Sequence, residues 1–528
     1  MGKDVIMLSQ TPVGKSGSSF YPLTTEWQIL YATNDSDTEL FYNEIITAAG
    51  GCINPFFARY LAEHSSRAFN RLVDEGVPLL RCAEVNTIGC FGQIPRGAFL
   101  TDLNAWITSQ KRLLGSTGVR RFEGLYIVSL LVTNGVCTGA LALDKQGGLV
   151  CCLAKSVVLA CGGGEGLFQH AAAGGALLGA GYALAARRGA RLVNLEFLQF
   201  LIGSIEPVKG MIYYPFALEE QPRILSYRGD DCLGDYMPEG LSVERCIELR
   251  SKHGPFAVED DGKYLDLAML EEHKKGNGLG LRLIPDEQRL SKKQYELFGK
   301  FLGCMGLTLS SEQTVYPLCQ GFNGGVLLAE DFSTDIAGLY ACGESAGGIH
   351  GPRRMGGASI LSTQVIGEAA ALAACAHADA IGAPGELTQR EAESRLLADY
   401  GSGGSRYIRP QEAVKAIQQE VQFSGFVRRN GGDLKASLRA IEQVTPSPLD
   451  HLEDENLSDY FVARNAADAA QLLLSAMLAR EESRGGHFRE DYPERDGESG
   501  GMNWVSLKDG QITTGKLESG HGWTMRDA

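Results

Sequence analysis

The chain has 528 residues, 44% of them hydrophobic and 21% charged, and carries a formal net charge of −15. That length and balance suit a globular protein of more than one domain. The acidic excess argues against a surface built for nucleic acid or anionic lipid, because its long-range field repels phosphate.

In chain order, Val5-Ile6-Met7-Leu8 is a short apolar run of buried parallel-strand type, followed by the turn formers Pro12, Gly14 and Gly17. Farther on, Asn54 is an N-cap, Pro55 a first helical residue and Gly76 a stop, with Phe57, Tyr60, Leu61, Ala68 and Leu72 at helical spacing between them. From Tyr126 to Val158 the pattern predicts a small β-meander with turns at Asn134-Gly135 and Gln146-Gly147-Gly148. "SVVLACGGGEG" then places a β-branched strand directly before glycines, and "GGALLGAGYALAARRGARLVNLEF" reads as a small-residue helix leading into another strand. Strand, glycine turn and helix together make a dinucleotide-type layer.

From about Glu206 to Asn323 the sequence turns polar, Pro-punctuated and irregular, as expected of a separate substrate-side domain. Strand texture returns in "GGVLLAEDF" and "GLYACGE". Beyond about Gly385, "TQREAESRLLADY", "PQEAVKAIQQEV" and "NAADAAQLLLSAMLAREESR" are amphipathic and predict a helical domain, with the Gly- and Asp-rich tail from Glu490 as a surface extension.

The 66 glycines against 18 prolines suit tight turns and close backbone approach to a ligand better than disorder. No stretch of about twenty uninterrupted apolar residues occurs, and Met1 does not open a basic, apolar secretion signal. Thirteen scattered cysteines include no C-x-x-C, so neither a zinc cage nor a cysteine-ligated iron–sulfur cluster is spelled out and no metal site is expected. A reducing, cytoplasmic environment is the expectation.

The stretch richest in chemistry is "GLYACGESAGGIHGPRRMGGASI", where a strand delivers Gly343-Glu344 to a glycine-rich turn and a helix start. A carboxylate at a strand end can accept ribose hydroxyls, and glycines let backbone N–H groups approach a phosphate or a flavin carbonyl. The same residues also suit an ordinary turn with a solvated Glu344.

At this point the sequence resembles the flavoproteins of the fumarate reductase, succinate dehydrogenase and L-aspartate oxidase superfamily. Six blocks carry the resemblance in order: "LSQTPVGKSGSSFY", "VVLACGGGEGLF", "ARRGARLVNLEFLQF", "YLDL", "GLYACGESAGGIHGPRRMGGASI" and "REESRGGHFREDYPERD". The resemblance implies an α/β fold: a Rossmann-like FAD-binding domain at 1–205 and 326–385, interrupted by an α+β capping domain at 206–325 and followed by a C-terminal helical domain and tail at 386–528. It places Ser9 and Gln10 beside the adenosine ribose, and Ser16, Gly17, Ser18 and Ser19 beneath the pyrophosphate and flavin. Ala160, Gly162 and Gly163 match the turn near the adenine, Glu344 the ribityl or ribose acceptor, and Ser359-Ile360 the backbone near the isoalloxazine pyrimidine edge. Gly17 stands where some members carry a histidine covalently linked to FAD, so the resemblance implies non-covalent FAD.

Chemistry in this family passes hydride between flavin N5 and a carbon next to a carboxylate, which requires cationic clamps and a positioned proton donor. Arg354 stands at the family's carboxylate-binding arginine, the other reading being an ion pair within its loop. Two expected histidines are replaced, by Leu201 after Gln199-Phe200 and by Gln320 before the glycine pair, which implies a less polar pocket suited to one carboxylate or a bulkier body. The acid–base arginine aligns ambiguously: Arg245 is the first candidate and Arg228 the second, each also an ordinary surface or ion-paired arginine. His350 and His487 read as a cofactor-adjacent and a packing residue.

The expected function is that of a FAD-dependent oxidoreductase acting on a small carboxylic acid. The alternatives are a flavin-binding electron-transfer or assembly subunit without its own substrate site, and an N-terminally truncated inactive fragment. An iron–sulfur or other electron-transfer partner would be a separate chain, and a homodimer is the base expectation. In the family the strand matching Val5 to Ser9 follows a G-x-G-x-x-G turn and helix, about 30 residues with their strand. The expectation is that Met1 is an internal methionine or that this first unit is separately encoded.

Overall fold

A computed structural model of the chain describes residues 2–23, 27–85, 90–213, 218–219, 222–284, 299–300, 302–308, 310–400, 408–446, 457–497, 500–508 and 510–517. The helix Pro55–Asp74 begins where Asn54 accepts the Phe56 backbone N–H at 3.0 Å, and the chain leaves it at Gly76 with φ +79°. Its stripe of Phe57, Leu61, Phe69 and Leu72 is buried, and the helix packs on its neighbours Asp35–Ala49 and Ala358–Ala380. Ala358–Ala380 is apolar and long enough to cross a membrane, but half of its apolar window is buried inside the protein. It serves as a core helix, lying on the strands Val157–Leu159 and Leu339–Ala341.

The expected meander is present: Tyr126–Thr133, Val136–Leu143 and Leu149–Leu153 run antiparallel, with Asn134 and Gly135 both at positive φ as a tight hairpin turn requires. The nucleotide layer is assembled from parallel pairs. Ile6–Ser9 pairs with Arg120–Glu123, and Val157–Leu159 with Leu339–Ala341; among the described residues no strand joins the two pairs. Ile6–Ser9 is only half-buried rather than the fully buried strand its composition suggests, since among the described residues it has a partner on one side only. The small-residue helix is short, Ala180–Ala186, because Gly179 at φ +73° starts it and Gly189 at φ +86° turns the chain away just beyond its end.

The stretch read as irregular supplies four strands, with Leu198–Glu206 just before it as the fifth, of an antiparallel sheet in the order Met211–Ile212, Leu198–Glu206, Gln313–Phe322, Leu281–Ile284, Arg223–Leu225. Alternation hides it from a reading by composition: Leu281 and Leu283 are fully buried while Arg282 and Ile284 are only half-buried. Helices Val243–Ser251 and Lys263–Lys275 belong to the same region. At the C-terminal end, Gln389–Tyr400, Pro410–Ser424, Gly431–Val444 and Leu457–Ala479 form the helical domain.

Within the tail, Met502–Lys508 is not a surface extension. Met502–Lys508 lies between Leu192–Val193 and Gln511–Leu517 in a sheet completed by Gly325–Leu327 and Ala346–Gly347. The strand is buried on both faces: Met502 and Trp504 pack against Val193 and Leu327 on one side, and Val505 and Leu507 join the main core on the other, in a segment that the surrounding glycines and aspartates had masked.

Candidate functional site

Three turns converge at one end of these strands. The turn after Val157–Leu159 carries Gly162, Gly163 and Glu165, and the turn after Leu339–Ala341 carries Gly343, Glu344 and Ser345. Ser345 locks the two together: its hydroxyl accepts the Cys161 N–H at 3.0 Å and donates to the Gly162 carbonyl at 3.1 Å. Glu344 accepts the Phe322 N–H at 2.7 Å, and Tyr182 donates to the Glu344 carbonyl at 2.7 Å. The third turn is the N-terminal loop, whose Ser18 hydroxyl donates to Glu165 at 2.9 Å. At Gly163 a Cβ would fall 2.6 Å from the Glu344 carboxyl carbon and 2.9 Å from Glu165 Oε2, so any larger residue would displace these carboxylates.

Opposite this cluster the helix Ala358–Ala380 begins at Gly357, φ +87°, with no side chain capping its first N–H groups. Thr363 in its first turns lies against Gly343, so the helix start and the Glu344 turn share a wall. Ser359 and Ile360 are therefore placed at an uncapped helix N-terminus, which favours a carbonyl or anionic acceptor.

Arg354 lies just upstream of that helix. Its Nε donates to Gln199 Oε1 at 2.7 Å, Nη1 to the Met355 carbonyl at 3.1 Å and Nη2 to Gln320 Oε1 at 3.4 Å; Gln199 returns a bond to the Arg354 carbonyl at 3.2 Å. Among the described residues no carboxylate pairs with it directly. Burial lowers its pKa to about 10 against the pull of Glu344, and it stays cationic at neutral pH. Gln199 and Gly321 are register partners on the antiparallel strands, which is how Gln199 and Gln320 reach the same side chain. Leu201, two residues along from Gln199, instead packs in an apolar cluster with Ala172, Met211, Ile212 and Leu318. His350 lines a small cavity with Arg353 and Arg354, and its Nε2 meets Ser362 Oγ at 3.2 Å. Burial, with Arg354 nearby, pushes it down to about 3, so it is neutral.

The structure does not bring the two candidate acid–base arginines to this cluster. Arg245 is half exposed on the helix Val243–Ser251, paired with Glu248 at 2.7 Å in an i,i+3 contact, and Arg228 is exposed with its Nε on Tyr227 at 2.9 Å. Sequence spacing located a helix for Arg245 but could not say which face would turn inward. Of the predicted cofactor positions, Gly162, Gly163, Glu344, Ser18, Ser359 and Ile360 belong to the converging turns and helix start. Gly17 (φ +88°) and Ser16, whose hydroxyl meets that of Thr11, lie in the same loop as Ser18, as does Ser19; Ala160 leads into the glycine turn. Ser9 bonds back to the Thr11 carbonyl at 2.9 Å, and Gln10 is exposed. Sequence reasoning missed Glu165, Gln199 and Arg353, the last stacked 4.0 Å over the Phe91 ring. A glutamate behind three glycines carries no signal distinguishing it from a solvated turn acid.

These groups fit FAD: an acceptor carboxylate for sugar hydroxyls, serine hydroxyls and positive-φ glycines in one loop, and an uncapped helix start for a carbonyl or phosphate.

Comparison with known proteins agrees. The FAD binding domain family matches residues 1–212 and 308–360, and the fumarate reductase flavoprotein C-terminal family matches 415–511. The chain is 28% identical over 407 residues to a fumarate reductase (CoM/CoB) subunit of Methanothermobacter marburgensis, covering 74% of this chain and 70% of that protein. It is 27% identical over 514 residues to L-aspartate oxidase of Caulobacter vibrioides, covering 94% and 89%. A solved quinol fumarate reductase from E. coli superimposes with a TM-score of 0.79 at 19% identity, covering 99% of this chain and 93% of that one, a likeness of fold. With the converging glycine turns, Glu344 and the uncapped helix start in place, the chain belongs to the FAD-dependent oxidoreductase flavoproteins of the fumarate reductase, succinate dehydrogenase and L-aspartate oxidase family.

Proposed function

We propose that this oxidoreductase acts on a small carboxylic acid held by one carboxylate, its pocket altered from one that clamps two. FAD, when bound, supplies a hydride acceptor or donor at N5. The observation that carries the reading is the Arg354 fork: Gln199, Gln320 and the Met355 carbonyl orient the guanidinium, yet among the described residues no acidic side chain neutralises it. A planar cation held this way binds and orients a substrate carboxylate through its remaining N–H groups. Leu201 faces aliphatic neighbours and Gln320 is committed to Arg354, so neither offers a cationic contact to a second carboxylate. The relatives named fumarate reductase and L-aspartate oxidase support the substrate class.

The turn at Cys90-Phe91 links the capping region to this site, since Cys90 Sγ accepts the Gly254 N–H at 3.2 Å and Arg353 covers Phe91. Closure there would keep water from the substrate. Electrons pass to or from a separate electron-transfer chain, a reading supported by the absence of a cysteine cluster in the sequence and by the likeness to a Mycobacterium smegmatis Sdh1 complex. A reducing, cytoplasmic setting is part of the same proposal.

The test is anaerobic. The FAD-loaded protein is mixed with saturated acids, and its photoreduced form with unsaturated acids, while flavin absorbance is followed. Rapid change with monocarboxylates and slow change with fumarate, succinate or aspartate is expected. Fast turnover of the dicarboxylates would overturn the altered pocket, and no response to any acid would favour an electron-transfer subunit.

A further inference from the structure

Glu165 is the one fully buried carboxylate in the converging turns, and the resemblance assigns it no role. Its Oε1 accepts from Ser18 at 2.9 Å, while no N–H or O–H reaches Oε2 among the described residues. Oε2 meets the Glu344 carboxyl instead, the two groups closing over the bare Cα of Gly163. Glu344 differs from it in two ways: it accepts backbone N–H bonds from Phe322 and Gly163, and it is part-exposed. Two carboxylates in contact at a buried site cannot both be ionised, and one proton between them satisfies every atom.

We propose that Glu165 is a positioning residue for the cofactor: it keeps its proton, donates it from Oε2 to Glu344, and so holds Glu344 as the single carboxylate facing the sugar hydroxyls of FAD. Ser18 fixes the orientation by donating to the opposite oxygen, which ties the N-terminal loop to the same device. This rests on the FAD assignment and adds to it a protonation requirement. Burial and the neighbouring Glu344 raise Glu165 well above the usual carboxylate range, consistent with a neutral acid at neutral pH. The other titratable groups facing the pair stay in one state there: Tyr182, Cys161 and Cys319 are raised by burial and remain neutral, and Arg354 remains cationic.

The prediction concerns binding rather than turnover. As pH rises through the raised pKa of Glu165 the pair becomes dianionic, and an anionic cofactor is held less well. FAD dissociation constants of the apoprotein, read from quenching of flavin fluorescence across a pH series, should rise about tenfold from the neutral-acid to the ionised form of Glu165. Glu165→Gln, which keeps a donor and cannot ionise, should bind within about threefold of wild type at about pH 7 and show no such rise. Glu165→Ala should bind about tenfold more weakly at every pH, with Gln restoring what Ala loses. Should Glu165→Ala fail to fold, calorimetry of wild type in two buffers of different ionisation heat supplies the second readout: FAD binding takes up a proton at alkaline pH, and does not in Glu165→Gln. A Glu165→Gln profile as steep as wild type, or Glu165→Ala binding as tightly as wild type, would overturn the proposal while leaving the cofactor assignment intact. Failure of wild type to bind FAD at any pH would overturn both.

Discussion

Replacing Arg354 by glutamine is the most direct trial of the site. A guanidinium has five N–H donors. Nε, one N–H of Nη1 and one of Nη2 are spent on Gln199, the Met355 carbonyl and Gln320, the last at the long distance of 3.4 Å. Among the described residues two N–H groups are left, one on each Nη, as many as a carboxylate can accept. Each charge-assisted bond contributes about 1.5–3 kcal/mol, so Arg354→Gln should cost about 3–6 kcal/mol of transition-state binding. That is roughly a hundred- to ten-thousandfold in kcat/KM for any acid the wild type turns over. Arg354→Lys, which keeps the charge but cannot hold Gln199 and the substrate together, should fall between the two. The assay is stopped-flow flavin absorbance against acid concentration, with bound FAD measured in each variant to confirm that the cofactor site is intact. A variant that keeps kcat/KM within about threefold of wild type while retaining FAD would refute the reasoning.

Three further outcomes are expected. Arg96 is buried between Asp37 and Glu44, so Arg96→Met should cost about 3–5 kcal/mol in denaturant unfolding by stranding two buried carboxylates; a loss under about 1 kcal/mol would mean that the triad relaxes. His350 is held down to about 3, so its contribution is present above the ordinary histidine pKa and is lost as pH falls from about 6.5 towards 3, at about 1.4 kcal/mol per pH unit. Thermal melts across that range should therefore fall more steeply for wild type than for His350→Gln, and parallel curves would contradict the assignment. Val505→Ala should cost about 2 kcal/mol in the same unfolding assay, as a core position does and a surface tail does not.

What the sequence made legible was local stereochemistry. Asn54, Pro55 and Gly76 mark a helix because capping and φ are set by the residues themselves. Gly162, Gly163 and Glu344 were singled out through the resemblance of their blocks, and the structure places them in turns that meet one another. Arg245 and Arg228 show the opposite case. Whether an arginine reaches a site depends on which face of its element turns inward, and that is settled by tertiary packing absent from the local pattern. Glu165 was illegible for a related reason, since its environment comes from Ser18 and Glu344, far away along the chain. The Met502–Lys508 strand was hidden by flanking glycines and acids, and burial on both faces left it no alternation to be counted.

The position of that strand has a consequence for how the protein is made. Leu192–Val193, in the cofactor-binding half, is flanked on one side by a segment translated long after it. Until Met502–Lys508 leaves the ribosome, one edge of that sheet stands open, and an open edge recruits either a chaperone or another nascent chain. A chain released early by a stop codon upstream of Met502 would carry every glycine turn and Arg354 and still have an unsealed sheet beneath them.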